Sequence, residues 1–230
     1  EHFFSKREGY ATTLCNLSKH KIFDVVKGRS AQSLHEYLSQ LKGKERVKVV
    51  CMDLSPSYRQ LIKKHFPQAK IVADRFHVIR LINQLCMQTY QSIDGKIRYQ
   101  RGLLGVLRSN PENLTEKKQQ RRDDYLKQQP VIAMLYEFKQ RLHKLLMKKH
   151  CTAKKCRRLL PIFLKMLKQL KQNPFKPLQT LAKTLHKWRE EIVRMWRFTK
   201  NNGITEGFHR KMKLIQRRAY GFRNFIIAPT

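Results

Sequence analysis

The chain has 230 residues, enough for one large domain or for a domain that carries a sizeable insertion. Hydrophobic residues make up 41% of the chain, which allows a real core and argues against wholesale disorder. With 50 Lys and Arg against 16 Asp and Glu, the formal net charge is +34, so the favoured partner is a polyanion, nucleic acid before a membrane surface. No run of about 18 apolar residues occurs, which excludes a membrane-spanning helix, and the five scattered cysteines are typical of a reducing cytoplasm.

The beginning of the chain predicts a β-hairpin followed by a helix. Segments 9–17 (GYATTLCNL) and 21–28 (KIFDVVKG) are rich in β-branched and aromatic residues, and the polar turn SKH separates them. The apolar HFF at 2–4 indicates an earlier strand. Ser30 is the predicted N-cap of the helix. Its apolar face carries Leu34, Tyr37, Leu38 and Leu41.

Two apolar strands then alternate with helices. The run 47–53 (VKVVCMD) predicts a central buried strand, and 69–74 (AKIVAD) predicts a second one. Between them, Ser55 as N-cap and Pro56 at the first helical position begin a helix, and another helix follows from Arg75. This order of hairpin, helix, strand, helix, strand, helix predicts a mixed sheet with helices packed on it.

From about residue 81 the strand signals stop and helical periodicity takes over. Twenty of the net positive charges lie in 81–200. Two apolar stripes in this region are interpreted as helix faces that enter a core, although Trp188 and Trp196 could instead stack on an unpaired base. The stripes are Leu159, Ile162, Phe163, Met166, Leu167 and Leu170, and then Leu178, Leu181, Leu185, Trp188, Ile192 and Trp196. The sequence thus predicts an α/β core in 1–80, an all-helical basic insertion in 81–200, and a C-terminal core helix in 201–230.

Because acids are few, their positions are informative. Asp53 and Asp74 each end an apolar strand, and ligands bind at the carboxyl ends of strands in an open α/β sheet. Ser55 already serves as the cap after the first strand, which favours a functional role for Asp53. For Asp74 two interpretations stay open, a ligand-binding carboxylate and an N-cap of the helix that begins at Arg75.

Glu206 is the only acid among six Lys and Arg in 201–225. On a helix it shares one face with Arg210, Lys213 and Arg217, while apolar residues occupy another face. One interpretation is an exposed Glu206–Arg210 ion pair, worth about 0.3–0.5 kcal/mol. The other is a carboxylate that binds a divalent cation beside cations that follow a phosphate backbone. Cleavage of a phosphodiester by two metal ions about 3.5–4 Å apart needs such carboxylates, and Mg²⁺ prefers their hard oxygens.

Three segments resemble DDE-type transposases of bacterial insertion sequences, of the ISL-three family. They are GYATTLCNLSKHKIFDVVKGRS (9–30), VKVVCMDLSPSYRQLIKKHFPQAKIVADRFHVIRLIN (47–83) and NGITEGFHRKMKLIQRRAYGFRNF (202–225). The resemblance implies a ribonuclease H-like fold whose sheet is interrupted by a helical insertion. It implies that Asp53 is the second catalytic Asp, that Glu206 is the catalytic Glu, and that both bind two Mg²⁺ or Mn²⁺ ions.

The resemblance also implies lesser site residues and partners. DRFH, Asp74 to His77, is similar to an accessory Asp-two-residues-His motif, although His77 could equally be a packed histidine. Arg210, Lys213, Arg217 and Arg218 would bind DNA, both transposon ends and target. A cytoplasmic, nucleoid-associated homo-oligomer in a synaptic complex is expected.

The family's first catalytic Asp is expected immediately before Glu1. The chain as given is therefore expected to lack that Asp, together with the zinc-binding and helix-turn-helix segments, and to be inactive by itself. Two alternatives to a transposase stay open. One is a ribonuclease H-like nuclease or resolvase that cuts without joining, and the other is a basic nucleic-acid-binding protein without enzymatic activity.

Overall fold

The computed structural model describes residues 9–198, the backbone of residues 2–5, and positions 214 and 218. The described chain forms two compact units. The first unit consists of Glu1–Asp74 and Lys200–Thr230 and contains every described strand, and the second unit, Arg75–Thr199, is helical. A mixed α/β class is therefore confirmed.

The N-terminal strands form an antiparallel sheet in the order β1-β2-β3, as the hairpin pattern predicts. Its strands are β1 (His2–Ser5), β2 (Gly9–Asn16) and β3 (Lys21–Lys27). Ala11 pairs with Lys27 and Asn16 with Lys21, with a register shift after Leu14. Gly28 ends the hairpin at φ +98°, and a Cβ there would lie only 2.6 Å from the Ser33 hydroxyl, so glycine is required.

The described residues from Ser30 to Asp74 form a pair of parallel strands and two α-helices. In chain order these elements are α1 (Ala31–Gln40), a 3₁₀ turn (Lys44–Arg46), β4 (Val49–Met52), α2 (Pro56–His65) and β5 (Lys70–Ala73). Both predicted caps are confirmed, because Ser30 accepts a hydrogen bond from the Ser33 amide and Ser55 accepts one from the Tyr58 amide. The two helices share a small core of Leu34, Leu38, Leu61 and Phe66.

The prediction that 47–53 is a central buried strand is wrong in part. The strand β4 has four residues, Val49 is 37% exposed, and only Met52 is buried. The reason is its position, since β4 pairs only with β5 among the described strands. The described strands thus form two sheets, three-stranded antiparallel and two-stranded parallel, and their union in one ribonuclease H-like sheet stays a prediction.

The second unit packs its helices around the two apolar stripes. Its α-helices are α3 (Arg75–Ile93), α4 (Leu103–Arg108), α5 (Glu116–Gln128), α6 (Pro130–Leu146), α7 (Ala153–Lys171), α8 (Lys176–Lys187) and α9 (Arg189–Arg194), with 3₁₀ turns at Gly95–Tyr99 and Pro111–Asn113. Helices α7 and α8 pack against each other, and α3 packs against α6 and α8.

The stripes lie in the core, with one exception. Trp188 is 2% exposed and Trp196 is fully buried, edge-to-face with Phe163 at 6.1 Å between ring centroids, so both tryptophans are packing residues rather than base-stacking ones. Ile162 is 50% exposed, against the prediction. It lies at the edge of the apolar face of α7, one residue before the buried Phe163 and therefore about 100° around the helix from it.

Candidate metal centre

Parallel pairing brings two carboxylates to one edge of the β4–β5 sheet. Met52 is opposite Ala73 at the end of the ladder, and the Asp74 amide donates to the Met52 carbonyl at 2.7 Å. Asp53 and Asp74 are therefore the next residues beyond a matched pair, on strands about 4.8 Å apart. The prediction that both acids face the same edge follows from this register.

A histidine joins the two acids. The helix α3 begins at Arg75, directly after Asp74, and His77 lies in its first turn, where residues three apart share a face. One ligand atom each from Asp53, Asp74 and His77 lie within 4.8 Å of one another. Asp74 is 2% exposed, whereas Asp53 and His77 are half-buried, so the cluster reaches solvent through the latter two side chains.

This donor set fits a divalent cation. Two ionised carboxylates at such a separation repel each other by roughly 3 kcal/mol at an effective dielectric constant of 20, and a cation between them replaces that repulsion with attraction. Two ligand atoms of an octahedral ion at 2.0–2.1 Å lie about 3–4 Å from each other, and the three atoms here lie within 4.8 Å. Carboxylates suit Mg²⁺ and Mn²⁺, whereas the imidazole of His77 is a ligand that transition-metal ions accept more readily than Mg²⁺ does.

Comparison with known proteins now identifies the family. A family model described as a transposase, of the DDE type and the ISL-three family, matches residues 1–227. The chain belongs to the ISL-three transposase family. Among its relatives is the transposase for insertion sequence element IS1001 from Bordetella parapertussis, which is 25% identical over 236 residues. That alignment covers 97% of this chain and 56% of the relative, so the chain spans little more than half of that protein's length. No solved structure matches the chain.

The other site residues predicted for this ISL-three family member fall largely beyond the described part of the chain. Glu206, Arg210, Lys213 and Arg217 lie outside the described residues. Arg218 is described and is helical and exposed. The joining of Glu206 to Asp53 at one cation therefore stays a prediction.

The sequence interpretation missed the role of Arg75 in this ISL-three chain. Its guanidinium donates to the Lys148 carbonyl at 3.1 Å and to the Met195 carbonyl at 2.7 Å. Lys148 follows α6 and Met195 follows α9, so one side chain ties the start of the His77 helix to the ends of two distant helices. The only signal in the sequence was the position of Arg75 inside DRFH.

None of the described helices of this ISL-three chain is both long enough and apolar enough to cross a membrane.

Proposed function

We propose that this chain is the catalytic part of a transposase that cleaves DNA at transposon ends and joins the freed 3′-hydroxyl to target DNA, as a homo-oligomer. The observation that carries the proposal is the cluster of Asp53, Asp74 and His77 at the carboxyl edge of parallel strands, in a chain of net charge +34. Acids are scarce in this chain, so two within 4.8 Å of a histidine need a reason, and cation binding supplies one.

In this proposal Asp53 and Glu206 hold the divalent cations, and Asp74 and His77 complete the site. A bound pair of Mg²⁺ or Mn²⁺ ions supplies activation of the attacking water or hydroxyl and stabilises charge on the leaving oxygen. Asp53 and His77 are half-buried, so a phosphate group can approach the site from the solvent side. The buried Asp74 is held in place because its backbone amide donates to the Met52 carbonyl of the neighbouring strand.

The hydrogen bonds of Arg75 support the arrival of Glu206 at this site. The chain enters the helical unit at Arg75, and the Met195 carbonyl lies 2.7 Å from the Arg75 guanidinium, so α9 ends close to where α3 begins. Glu206 is eleven positions after Met195, and even a partly helical segment of that length reaches well over 15 Å. A return of Glu206 to the neighbourhood of Asp74 is therefore within reach of the chain.

The test is DNA cleavage by the complete gene product with Mg²⁺ or Mn²⁺, on duplexes that carry transposon ends. Asp53→Asn and Glu206→Gln should each reduce cleavage by at least about 100-fold and leave DNA binding intact or tighter. Glu36→Gln is the matched control, since Glu36 is an exposed acid on α1 of the same unit. Full cleavage by both site variants would refute the proposal and favour a basic binding protein without catalysis.

A second assay separates a transposase from a nuclease or resolvase. Pre-cut ends with free 3′-hydroxyls are offered together with target DNA, and joined product is measured. The proposal expects joining that depends on Asp53. Cleavage of intact ends without any joining of pre-cut ends would favour the nuclease instead.

A further inference from the structure

A long central part of the chain contains no acid at all. From Phe138 to Arg189, 52 consecutive residues include 16 Lys and Arg and not one Asp or Glu. The described structure places helices α7 and α8 within this stretch. The cations of α7 and α8 have no acid on their own helix, unlike those of α5, where Glu116, Asp123 and Asp124 are interleaved.

Helix α7 separates its charge from its apolar side. Its buried face, which includes Phe163 and Leu167, packs into the helical unit. The opposite face carries exposed cations at steps of four, seven and three residues, which keep them in one row along the axis. The row, here called the α7 row, consists of Lys154, Arg158, Lys165 and Lys168, all exposed. At 1.5 Å per residue it extends over about 21 Å.

Such a row is unfavourable for the helix alone. Like charges at i,i+3 and i,i+4 positions destabilise a helix, and Lys154 with Arg158 and Lys165 with Lys168 are pairs of that kind. Ion pairs with acids on the same helix would relieve this repulsion, but the helix has none. A polyanion with regularly spaced charges relieves it instead.

We infer that the α7 row is a binding surface for the phosphate backbone of double-stranded DNA, an inference that rests on the proposed function. Duplex DNA carries one negative charge per roughly 3.4 Å of axis on each strand, so 21 Å of one strand presents about six phosphates to the row. A membrane surface fits poorly, because the broad apolar face of α7 is buried in the protein. Single strands are bound by stacking on exposed aromatic side chains, and the aromatic residue of α7, Phe163, is fully buried.

The inference gives a measurable salt dependence. Each phosphate contact contributes about 0.9 to the negative slope of log K against log salt concentration. Replacing Lys154, Lys165 and Lys168 together by glutamine should therefore reduce the slope by about 2.7 and weaken binding at 0.1 M salt by roughly 10- to 100-fold. Contacts made by the α7 row position DNA without reading bases, so the loss should be equal for unrelated sequences.

The experiment is fluorescence anisotropy with a labelled duplex of arbitrary sequence, titrated with this chain at several salt concentrations in EDTA. The control is the triple replacement of Lys117, Lys118 and Lys127 on α5 by glutamine, which removes the same charge from exposed positions of the same unit. In the α7 triple variant the slope of log K against log salt concentration should fall by about three times the contribution of a single phosphate contact. In the α5 triple variant this slope should change little. Equal slopes for the two triple variants, or an unchanged slope for the α7 variant, would overturn the inference.

EDTA keeps this result separate from the proposed chemistry, since Asp53 and Glu206 have no cation to bind under these conditions. Circular dichroism of each variant checks that the helices are retained. If the salt dependence of binding falls in the α7 variant while Asp53→Asn still cleaves DNA, only the proposed chemistry is refuted. If Asp53→Asn abolishes cleavage while both triple variants bind alike, only the α7 row is wrong.

Discussion

Replacing Arg75 by methionine should loosen the junction between the start of α3 and the ends of α6 and α9. The substitution keeps the unbranched apolar stem and removes the guanidinium, which donates to the carbonyls of Lys148 and Met195. Both acceptors are backbone carbonyls beyond the end of a helix, where no intrahelical partner is available. They are only partly buried, so water replaces some of the lost interaction.

The expected loss follows from these two bonds. A hydrogen bond from a charged donor contributes about 1.5–3 kcal/mol, and two partly exposed bonds at the lower end of that range give about 3 kcal/mol. At a urea m-value of about 2 kcal/mol per M, this lowers the unfolding midpoint by about 1.5 M. Arg75→Lys should recover part of the loss, because an ammonium donates as a point charge rather than as a planar fork.

Urea unfolding followed by circular dichroism measures the effect, with Arg80→Met as the matched control. Arg80 lies on the same helix and is exposed, so its replacement should change the free energy of unfolding by no more than about 0.5 kcal/mol. A second readout is Mn²⁺ affinity, which should fall in Arg75→Met because His77 lies in the same first turn of α3. If Arg75→Met and Arg80→Met had the same midpoint and the same Mn²⁺ affinity, the assigned role of Arg75 would be refuted.

Three further predictions concern stability. Burial, and then the charge of His35, lowers the pKa of His65, so unfolded chains bind the proton first and stability should fall as the pH drops below about 6.5. Urea titrations between pH 5 and 7.5 should show that the free energy of unfolding falls less for His65→Gln than for the unmodified protein as the pH drops. An equal fall in the two proteins would contradict this. Burial lowers the pKa of Lys139 to about 8, against 10.5 in the unfolded chain, so stability should rise by about 3 kcal/mol between those pH values. Lys139→Met should flatten that rise, and an unchanged rise would exclude Lys139 as its source. Leu181→Ala, at a fully buried position, should cost about 2–5 kcal/mol in thermal unfolding. The 38%-exposed Leu164, replaced in the same way, should cost far less, and equal losses would contradict the packing of α8.

Local signals made much of the first unit predictable. Ser30 and the Ser55–Pro56 pair determine where two helices begin, through hydrogen bonds to residues three positions later. Such short-range interactions can be predicted from the sequence alone. The meeting of Asp53 and Asp74 was also predictable in outline, because parallel strands end at one edge. The register itself, Met52 opposite Ala73, was not, since nothing local distinguishes one offset of two apolar strands from another.

Long-range contacts of charged side chains could not be predicted from the sequence, for a different reason. Lys139 resembles any surface lysine, yet it is 2% exposed and donates to the carbonyls of Leu107 and Arg108, some thirty residues earlier. It caps the end of α4 from a neighbouring helix, a role that depends on packing. Arg75 reaches a carbonyl 120 residues away for the same reason. Periodicity likewise fails at the edge of a helix face, as at the exposed Ile162.

We propose that folding brings Asp53, Asp74, His77 and Glu206 to a common divalent-cation site. The direct measurement is Mn²⁺ binding to this chain, by electron paramagnetic resonance titration, for the unmodified protein and for Asp53→Asn, Glu206→Gln and Glu36→Gln. A shared site requires that Asp53→Asn and Glu206→Gln each weaken the same binding event by at least about tenfold, since each removes a charged oxygen ligand, while Glu36→Gln leaves it unchanged. Mn²⁺ binding that is unaffected by either site substitution, or that responds to Asp53 and never to Glu206, would contradict it.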